Sequence, residues 1–542
     1  MLNLSAVLNG MDGISTIEMR ILDKNAEYLG VSDRILMENA GKAVADVVMH
    51  RYPNALNVAV VAGLGNNGGD GIVAARYLLN SGRNVTIILL GRTSDVSEEP
   101  AATNLRICMN LLRCRIIEAR DEYTLLMHQD LILKWPQVII DAVLGIGVKG
   151  RLRQPHATAI DLMNMSSAPK VAVDVPSGLD SDTGNVWDKA VKADVTVTMH
   201  MAKHGLLAES AKQYVGELIV ADIGIPREAS LIVGAGDMLL LRYGRDINSK
   251  KGDNGRIMVV GGSRDFTGAA LFTGLSALIM GADLVNIYAP RDVAHDIRSN
   301  NPSIISIPLD GDALGESHVG FIVEEMRKFH VLAIGPGLGL KEETQKAVVN
   351  IIDSAVKLGK KVVIDADAIK AIGSSGRLDL LKGLIVTPHA GEFKQLFGVE
   401  VSAVDPLERG ELVRKIVAEK APGSIVLLKG NTDVVTDGVR IKLNKTGNPG
   451  MAIGGTGDVL TGVTAYLAFK LSDQLEAAAI AAFITGLAGD LAVIDKGFHI
   501  TPLDVVDRLP KVLSMFFDVR RSVIDSLHPQ VRGFLGAAGS LL

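Results

Sequence analysis

Short runs of β-branched and aliphatic residues, bounded by Gly or Asp, recur along the chain with helical patterns between them. In the first half they fall at 58–61, 85–90, 138–140, 171–173 and 195–198. In the second half they fall at 257–260, 284–288, 331–334, 362–364, 384–386 and 425–428. Continuous apolar strands alternating with helices predict parallel sheets covered on both faces. Ligands on such sheets bind at the carboxyl ends of strands, and both halves gather Gly and Asp there. One strand series ends at Ile225-Pro226-Arg227-Glu228, and the turn-rich run Asn248-Ser249-Lys250-Lys251-Gly252-Asp253-Asn254-Gly255 precedes the next. The halves share no internal repeat. Two different domains are therefore expected, 1–230 and 231–512, followed by a helical tail of unassigned role over 513–542.

The densest group of special residues is Asn448-Pro449-Gly450-Met451-Ala452-Ile453-Gly454-Gly455-Thr456-Gly457-Asp458, ahead of an apolar helical pattern. A glycine-rich turn feeding a helix start presents bare N–H groups to an anion, and the helix dipole adds partial positive charge. Asp458 stands beside that anion site. A carboxylate there suits a reaction in which a neighbouring hydroxyl loses its proton as it is phosphorylated. The plainer alternative is an N-cap Asp after a flexible turn.

Four further strand ends accompany it: Gly335-Pro336-Gly337-Leu338-Gly339, Asp365-Ala366-Asp367-Ala368, Thr387-Pro388-His389-Ala390-Gly391-Glu392 and Lys429-Gly430-Asn431-Thr432-Asp433. A hairpin is expected after the last, turning at Asp437-Gly438. Lys429 and its polar surroundings suit a nucleotide phosphate or ribose. His389 reads either as a capping histidine or as a ligand contact, and Glu392 equally as a first-turn helix acid.

In the first half, Gly63, Gly65 and Gly68 satisfy the G-x-G-x-x-G pattern in a strand–turn–helix context. The pattern departs from the dinucleotide fingerprint, because Leu90-Gly91-Arg92 stands where an acidic partner for a ribose hydroxyl belongs. Asn66, Asn67 and Asp70 make the loop unusually polar. Asn67, Asp141 and Ser177 project oxygen ligands from three neighbouring strand ends, a plausible hard-cation site. Asp174 closes one of those strands, and Lys203-His204-Gly205 follows another. Each acid taken singly reads as well as a helix N-cap or turn residue.

Asn66-Asn67-Gly68-Gly69-Asp70-Gly71, the run from Asp141 through Gly145 to Gly147, and Asp174 with Pro176-Ser177-Gly178 resemble the YjeF N-terminal family, as does Met37-Glu38-Asn39-Ala40-Gly41. These are NAD(P)H-hydrate epimerases of Rossmann-like fold, and the likeness covers about 14–225. It implies that Asn66, Asn67, Gly68, Gly69 and Asp70, with Gly145, Ile146, Gly147, Val148, Lys149, Gly150 and Arg151, contact the dinucleotide. It also implies that Asp174 faces the hydrated nicotinamide and that Asn67, Asp141 and Ser177 hold a potassium ion. Epimerisation needs proton transfer, for which Asp174 is the first candidate and Lys203 the second. In the second half, the Asn448-Pro449-Gly450 and Gly454–Asp458 elements with Thr387-Pro388-His389 and Gly391-Glu392 resemble the ribokinase-like superfamily, specifically the YjeF C-terminal family. Those are ADP- or ATP-dependent NAD(P)H-hydrate dehydratases, matched over about 240–512. The resemblance implies that Ala270, Gly337, His389 and Asp458 lie near the hydrated dinucleotide. It places Lys429, Gly430, Asn431, Thr432, Asp433 and Gly457 near the nucleotide, whose phosphates Mg2+ would bridge.

The expected fold class is therefore α/β, an N-terminal Rossmann-like three-layer domain fused to a C-terminal ribokinase-like three-layer domain. The expected function is repair of hydrated NADH or NADPH. The rival is a ribokinase-like small-molecule kinase carrying a non-catalytic dinucleotide-binding module.

Composition changes this picture little. A net charge of −5 offers no basic field for nucleic acid or an anionic membrane. Cys108 and Cys114 are too few for a disulfide framework. The apolar stretches around 269–282 and 477–482 are interrupted and read as buried helices, and no secretory pattern opens the sequence, so a cytoplasmic protein without a membrane span is expected. Low aromatic content and Ala-rich helices are compatible with packing between copies, so a homo-oligomer is expected.

Overall fold

The computed structural model describes residues 13–147, 150–246, 248–401, 405–518 and 531. The chain divides into two compact units, Met1–Ala229 and Ser230–Leu542.

The first unit holds seven parallel strands: β1 (Asn57–Ala62), β2 (Asn84–Leu89), β3 (Arg115–Glu118), β4 (Val138–Ala142), β5 (Lys170–Val173), β6 (Val195–Met199) and β7 (Glu217–Ala221). Their order is β3-β2-β1-β4-β5-β6-β7, the Rossmann order with one strand added. Side chains alternate between two cores, Val58 and Val60 facing one and Ala59 and Val61 the other. Helices α1 (Thr16–Tyr28), α2 (Asp33–Arg51) and α3 (Asn66–Asn80) belong to the first of these layers.

The second unit has nine strands: β8 (Arg256–Val260), β9 (Leu284–Pro290), β10 (Ile305–Leu309), β11 (Val331–Ile334), β12 (Lys361–Ile364), β13 (Ile385–Val386), β14 (Ile425–Leu428), β15 (Asp433–Thr436) and β16 (Ile441–Asn444). The order is β10-β9-β8-β11-β12-β13-β14-β15-β16. The strands run parallel except β15, which pairs antiparallel with both β14 and β16 and forms the expected hairpin with β16. Ile257 and Val259 face one core, Met258 and Val260 the other. Helices α4 (Thr267–Met280), α7 (Thr456–Lys470), α8 (Gln474–Lys496) and α9 (Pro502–Phe516) build the first layer. Two short helices, α5 (Ala366–Ser375) and α6 (Ala390–Phe397), follow β12 and β13 on the other side.

Both expected three-layer architectures are present. The strands that neither the hydrophobic runs nor the hairpin signal anticipates, β3, β7 and β10, are all sheet edges. An edge strand is covered less completely, so its sequence keeps polar or exposed positions, as in β3 and β7 and at Pro308 of β10.

One expectation holds and another needs correction. Helix α8 is a continuous 23 residues and, by length and composition alone, apolar enough to cross a membrane. Thr485 and Gly486 interrupt the apolar run but not the helix. Leu475 and residues 477 to 486 are buried in the second unit's core, so it reads as a core helix. That burial also spends, inside one copy, the alanines that suggested packing between copies. The proposed tail does not begin at 513 either. Helix α9 runs through that point with Val512 and Leu513 buried in the same core. Residues 519–530 and 532–542 of the expected tail lie outside the described residues.

Helices α4 and α7 cross at contact distance because Gly462 has no side chain. A Cβ there would lie 2.0 Å from the Thr273 carbonyl oxygen and 2.1 Å from Ser276 Oγ. Gly462→Ala is expected to cost about 1–3 kcal/mol by overpacking, read as a lower urea midpoint. An unchanged midpoint would contradict the close crossing.

Candidate functional sites

In the second unit, the carboxyl ends of β12, β13 and β14 converge on one buried ion pair. Asp365 ends β12 and is 2% exposed. It accepts hydrogen bonds from Lys429 Nζ (3.0 Å), Thr387 Oγ1 (2.8 Å) and Thr461 Oγ1 (2.7 Å). Lys429, at the end of β14, is fixed through its backbone, which donates to the Pro388 carbonyl at 2.8 Å. Burial alone would lower the Lys429 pKa, but Asp365, Glu392 and Asp458 surround the ammonium and hold it above its ordinary value.

The start of α7 stands over this pair. Gly455 caps the helix at φ +102°, a conformation that favours glycine. Thr456, Gly457 and Asp458 are the first helical residues, whose N–H groups have no intrahelical acceptor. Gly457 leaves that turn open toward the lysine, since a Cβ there would lie 3.4 Å from Lys429 Nζ. The carbonyl of Asp458 accepts from Thr273 Oγ1 at 3.1 Å and that of Val459 from Ser276 Oγ at 3.0 Å, so α4 holds the turn in place. Burial pushes the Asp458 carboxyl up to about 7. Asp365, Asp367 and Glu392 push the same way, and Lys429 offsets them only in part. An N-cap role for Asp458 is not what is seen, because Gly455 occupies that position.

The other expected residues are distributed around this centre. His389 does cap α6: its Nδ1 accepts from the backbone of Gly391 (3.0 Å) and Glu392 (3.3 Å). Its Nε2 lies 3.3 Å from Glu392 Oε1, and the ring is largely exposed, so it can cap and still face a ligand. Gly337, at φ +64°, rests on Phe266 and Ala269 at the start of α4. Ala270 is fully buried behind Gly261 and presents no side-chain surface. In the 429–433 loop, Asn431 is exposed, while Asp433 turns inward to accept from Gly430 N (2.8 Å) and Asn444 Nδ2 (3.0 Å). Arg409, which carried no sequence signal, brackets the loop by donating to the carbonyls of Thr432 and Lys429. Asn448 is an anchor: it donates to Asp490 Oδ1 on α8 at 2.8 Å and accepts from Gly450 N at 2.9 Å.

The first unit repeats the lysine–aspartate arrangement. Asp174 follows β5 at φ +62°, unusual for a residue with a Cβ. Its Oδ1 accepts from Lys203 Nζ (2.5 Å), Met199 N (3.0 Å) and Thr198 Oγ1 (3.1 Å). Lys203 is fully buried and also donates to Thr198 Oγ1 (3.1 Å) and the Met199 carbonyl (2.9 Å). All three of its protons are thus engaged. Asp70 faces the same lysine from α3, and burial with the nearby carboxylates Asp174 and Asp23 raises its pKa well above the ordinary range.

Of Asn67, Asp141 and Ser177, the last two are bonded directly and Asn67 lies beside the loop that follows Asp141. Asp141 is fully buried and accepts from Ser177 Oγ (2.6 Å), Ser177 N (2.8 Å) and Val143 N (3.3 Å), all neutral donors. Burial therefore pushes its carboxyl up to about 6. Asn67 lies against Gly145, and its Nδ2 is buried with no hydrogen-bond partner; turning the amide over would offer its oxygen instead. This oxygen-rich set with uncompensated charge fits a hard cation. Among the described residues, no group of three or more His, Cys, Asp or Glu side chains could hold a metal alone. Gly68 and Gly69 pack against Gly63 and Met37 and present no surface, whereas Asn66 is exposed at the start of α3. Ile146 is half-buried, and Gly147, Gly150 and Arg151 are exposed beside it; Val148 and Lys149 lie outside the described residues.

A protein-family model described as NAD(P)H-hydrate dehydratase matches residues 257–511, and one described as YjeF-related protein N-terminus matches residues 33–205. The bifunctional NAD(P)H-hydrate repair enzyme Nnr of Pyrobaculum aerophilum is 50% identical over 510 residues, covering 93% of this chain and 99% of that protein. The enzyme of the same name from Hyperthermus butylicus is 39% identical over 510 residues, covering 92% of each. A solved structure of the ADP/ATP-dependent NAD(P)H-hydrate dehydratase from Bacillus subtilis, co-crystallized with ATP/Mg2+, is 26% identical, covers 53% of this chain and 99% of that one, and has a TM-score of 0.44.

A carboxyl raised to about 7 is a stability penalty with a defined pH window. An unfolded Asp titrates near 3.9, so between about pH 4 and pH 7 the folded chain keeps a proton that the unfolded chain has lost. The penalty is absent below that window and full above it. Asp458→Asn is expected to stabilise the second unit by on the order of 1–3 kcal/mol at pH 8 and by almost nothing at pH 4. Denaturation midpoints at the two pH values check this.

Proposed function

This chain belongs to the family of bifunctional NAD(P)H-hydrate repair enzymes, and from that premise we propose how its two sites divide the work. The enzyme interconverts the R and S hydrates of NADH and NADPH in its first unit. In its second unit it dehydrates the S hydrate at the expense of a nucleotide.

The observation that carries the dehydratase assignment is Asp458, a carboxyl held near neutrality at a bare helix start beside Lys429. The hydrate carries a hydroxyl on C6 of the nicotinamide ring. Hydroxide leaves poorly and phosphate leaves well. Asp458 removes the proton from the C6 hydroxyl as it attacks the transferring phosphoryl group. The amides from Gly454 to Gly457 and the Lys429 ammonium hold the phosphoryl oxygens, where developing charge is best stabilised. The ring nitrogen's lone pair then expels phosphate to leave an iminium, and loss of a proton from C5 to water returns those electrons to nitrogen and restores the C5–C6 double bond. His389 and Gly337 line the dinucleotide side, with Ala270 buried behind them. Lys429 to Asp433, steadied by Arg409, line the nucleotide side. ADP or ATP is the co-substrate; magnesium would supply charge neutralisation at its phosphates, and Asp365 and Asp367 are carboxylates of this cluster that could hold it.

In the first unit Asp174 is the proton-transfer residue. Lys203 acts through it, because every proton of that ammonium is engaged and Asp174 Oδ2 is the oxygen left for substrate. The loops at 66–70 and 145–151 bind the dinucleotide. Asn67, Asp141 and Ser177 would hold a potassium ion, whose charge would neutralise the buried Asp141 carboxylate and steady both loops. We place the enzyme in the cytoplasm, in keeping with its mildly acidic charge.

Asp458→Asn is expected to lower dehydratase turnover by about 10²–10⁴-fold, the usual contribution of a general base, while nucleotide affinity stays within about twofold. Turnover close to wild type would remove Asp458 from the role. With Asp174→Ala, consumption of the R hydrate should stall while the S hydrate is still consumed at the wild-type rate. Loss of both epimers at the wild-type rate would mean that another residue moves the proton.

A further inference from the structure

Epimerisation by ring opening breaks the C6–N1 bond of the hydrate. The hydroxyl proton leaves as that oxygen becomes a carbonyl, the bonding pair goes to N1, and N1 takes up a proton. Closure on the other face reverses each step. The balance requires two proton carriers, one basic and one acidic. Asp174 supplies one. Lys203 is unsuited to be the other, because its three N–H groups are spent on Asp174, Thr198 and Met199.

We propose that Asp23, on the first helix, is the second proton-carrying residue of the epimerase site.

Helix α1 is fastened directly onto the Lys203 segment. Ile14 N donates to the Ala202 carbonyl at 2.8 Å, and His204 N to the Ile14 carbonyl at 3.1 Å. Thr16 N donates to Asp182 Oδ1 at 2.7 Å, and its hydroxyl lies 2.8 Å from Ser181 Oγ. Two turns into the helix, Asp23 is half-buried and within electrostatic reach of Lys203 and Asp174, and Asp70 faces it from α3. Arg20 precedes it by three residues on the same helix face. Its guanidinium lies 3.0 Å from where a Cβ on Gly147 would sit, against the loop read as dinucleotide-binding. One face of α1 therefore borders the site, with a cation against Gly147 and an acid in the field of the lysine–aspartate pair. Burial, reinforced by Asp174 and only partly offset by Lys203 and Lys24, pushes the Asp23 carboxyl up to about 6. An acid with that pKa can both give and take a proton near neutrality, whereas Asp174 is ion-paired with Lys203. Asp23 carries no strand-end or glycine signal and lies ahead of the family match at 33–205.

The inference rests on the epimerase reading, and the test separates the two. The full chain is incubated without nucleotide with purified R hydrate of NADH, and R-to-S conversion is followed by chromatography. Dehydration of S hydrate with ADP or ATP then serves as the control for folding. Wild type should equilibrate the epimers, with a kcat/KM limb that falls as pH rises through about 6. Asp23→Asn should lower kcat about 10²-fold, leave KM within about twofold and abolish that limb. Asp23→Glu should restore most of the rate, and S-hydrate dehydration should be unchanged throughout. If Asp23→Asn epimerises within about threefold of wild type, or keeps the limb, while Asp174→Ala is inactive, Asp23 is not the second carrier and the epimerase reading stands. If wild type itself leaves the R hydrate unconverted, the epimerase reading falls and the inference with it.

Discussion

A buried lysine–aspartate pair at the carboxyl ends of parallel strands organises each half of this molecule. Lys203 sits 2.5 Å from Asp174 in one unit, and Lys429 sits 3.0 Å from Asp365 in the other. Removing either partner would leave an uncompensated charge in a nearly dry strand-end crevice, an expensive outcome. The pair therefore fixes where the loops after adjacent strands must meet. It also sets the field in which neighbouring carboxyls titrate. Asp458 and Asp23 lie near such a pair without owning it. Each lysine is claimed first by another acid, so these neighbours feel burial and like charge more than attraction, and their pKa values rise. A rigid ion pair beside a loosely held acid is a simple way to keep a proton carrier near neutral pH.

The two sites otherwise use different physics. The second unit invests in backbone: a glycine start to α7, held through its carbonyls by Thr273 and Ser276 and approached closely only because Gly462 lacks a side chain. That serves phosphoryl transfer, in which charge on oxygen must be met by preorganised donors. The first unit invests in side chains, as proton transfer at the substrate's oxygen and nitrogen requires. One damaged molecule links them. Dehydration of one epimer alone would strand the other, which is why an epimerase and a dehydratase make sense on one chain.

Much of this was legible in the sequence, for physical reasons. Central strands buried on both faces read as apolar runs, and all of those were found. The edge strands β3, β7 and β10 were not, because half-solvated strands lose that signature. Strand-end Gly and Asp residues pointed to the sites because a parallel sheet leaves its ligands nowhere else to bind. Residues arriving from helices were invisible: Asp23, Arg409 and Asp490 have neither a motif nor a periodicity to mark them. Some motif residues proved structural, Asn448 tying its loop to Asp490 and Gly68 and Gly69 serving packing. Helix α8 shows the limit of composition, since a segment apolar enough to span a membrane is here the buried centre of a layered fold.

The most direct test of the account is stoichiometric. A mixture of R and S hydrates of NADH is given to the full chain with ADP or ATP, and recovery of NADH absorbance and release of free phosphate are recorded together. The account predicts that both epimers are consumed to completion and that one phosphate appears for each NADH restored. Accumulation of a stable phosphorylated compound without recovered absorbance would contradict it and mark the second unit as a kinase.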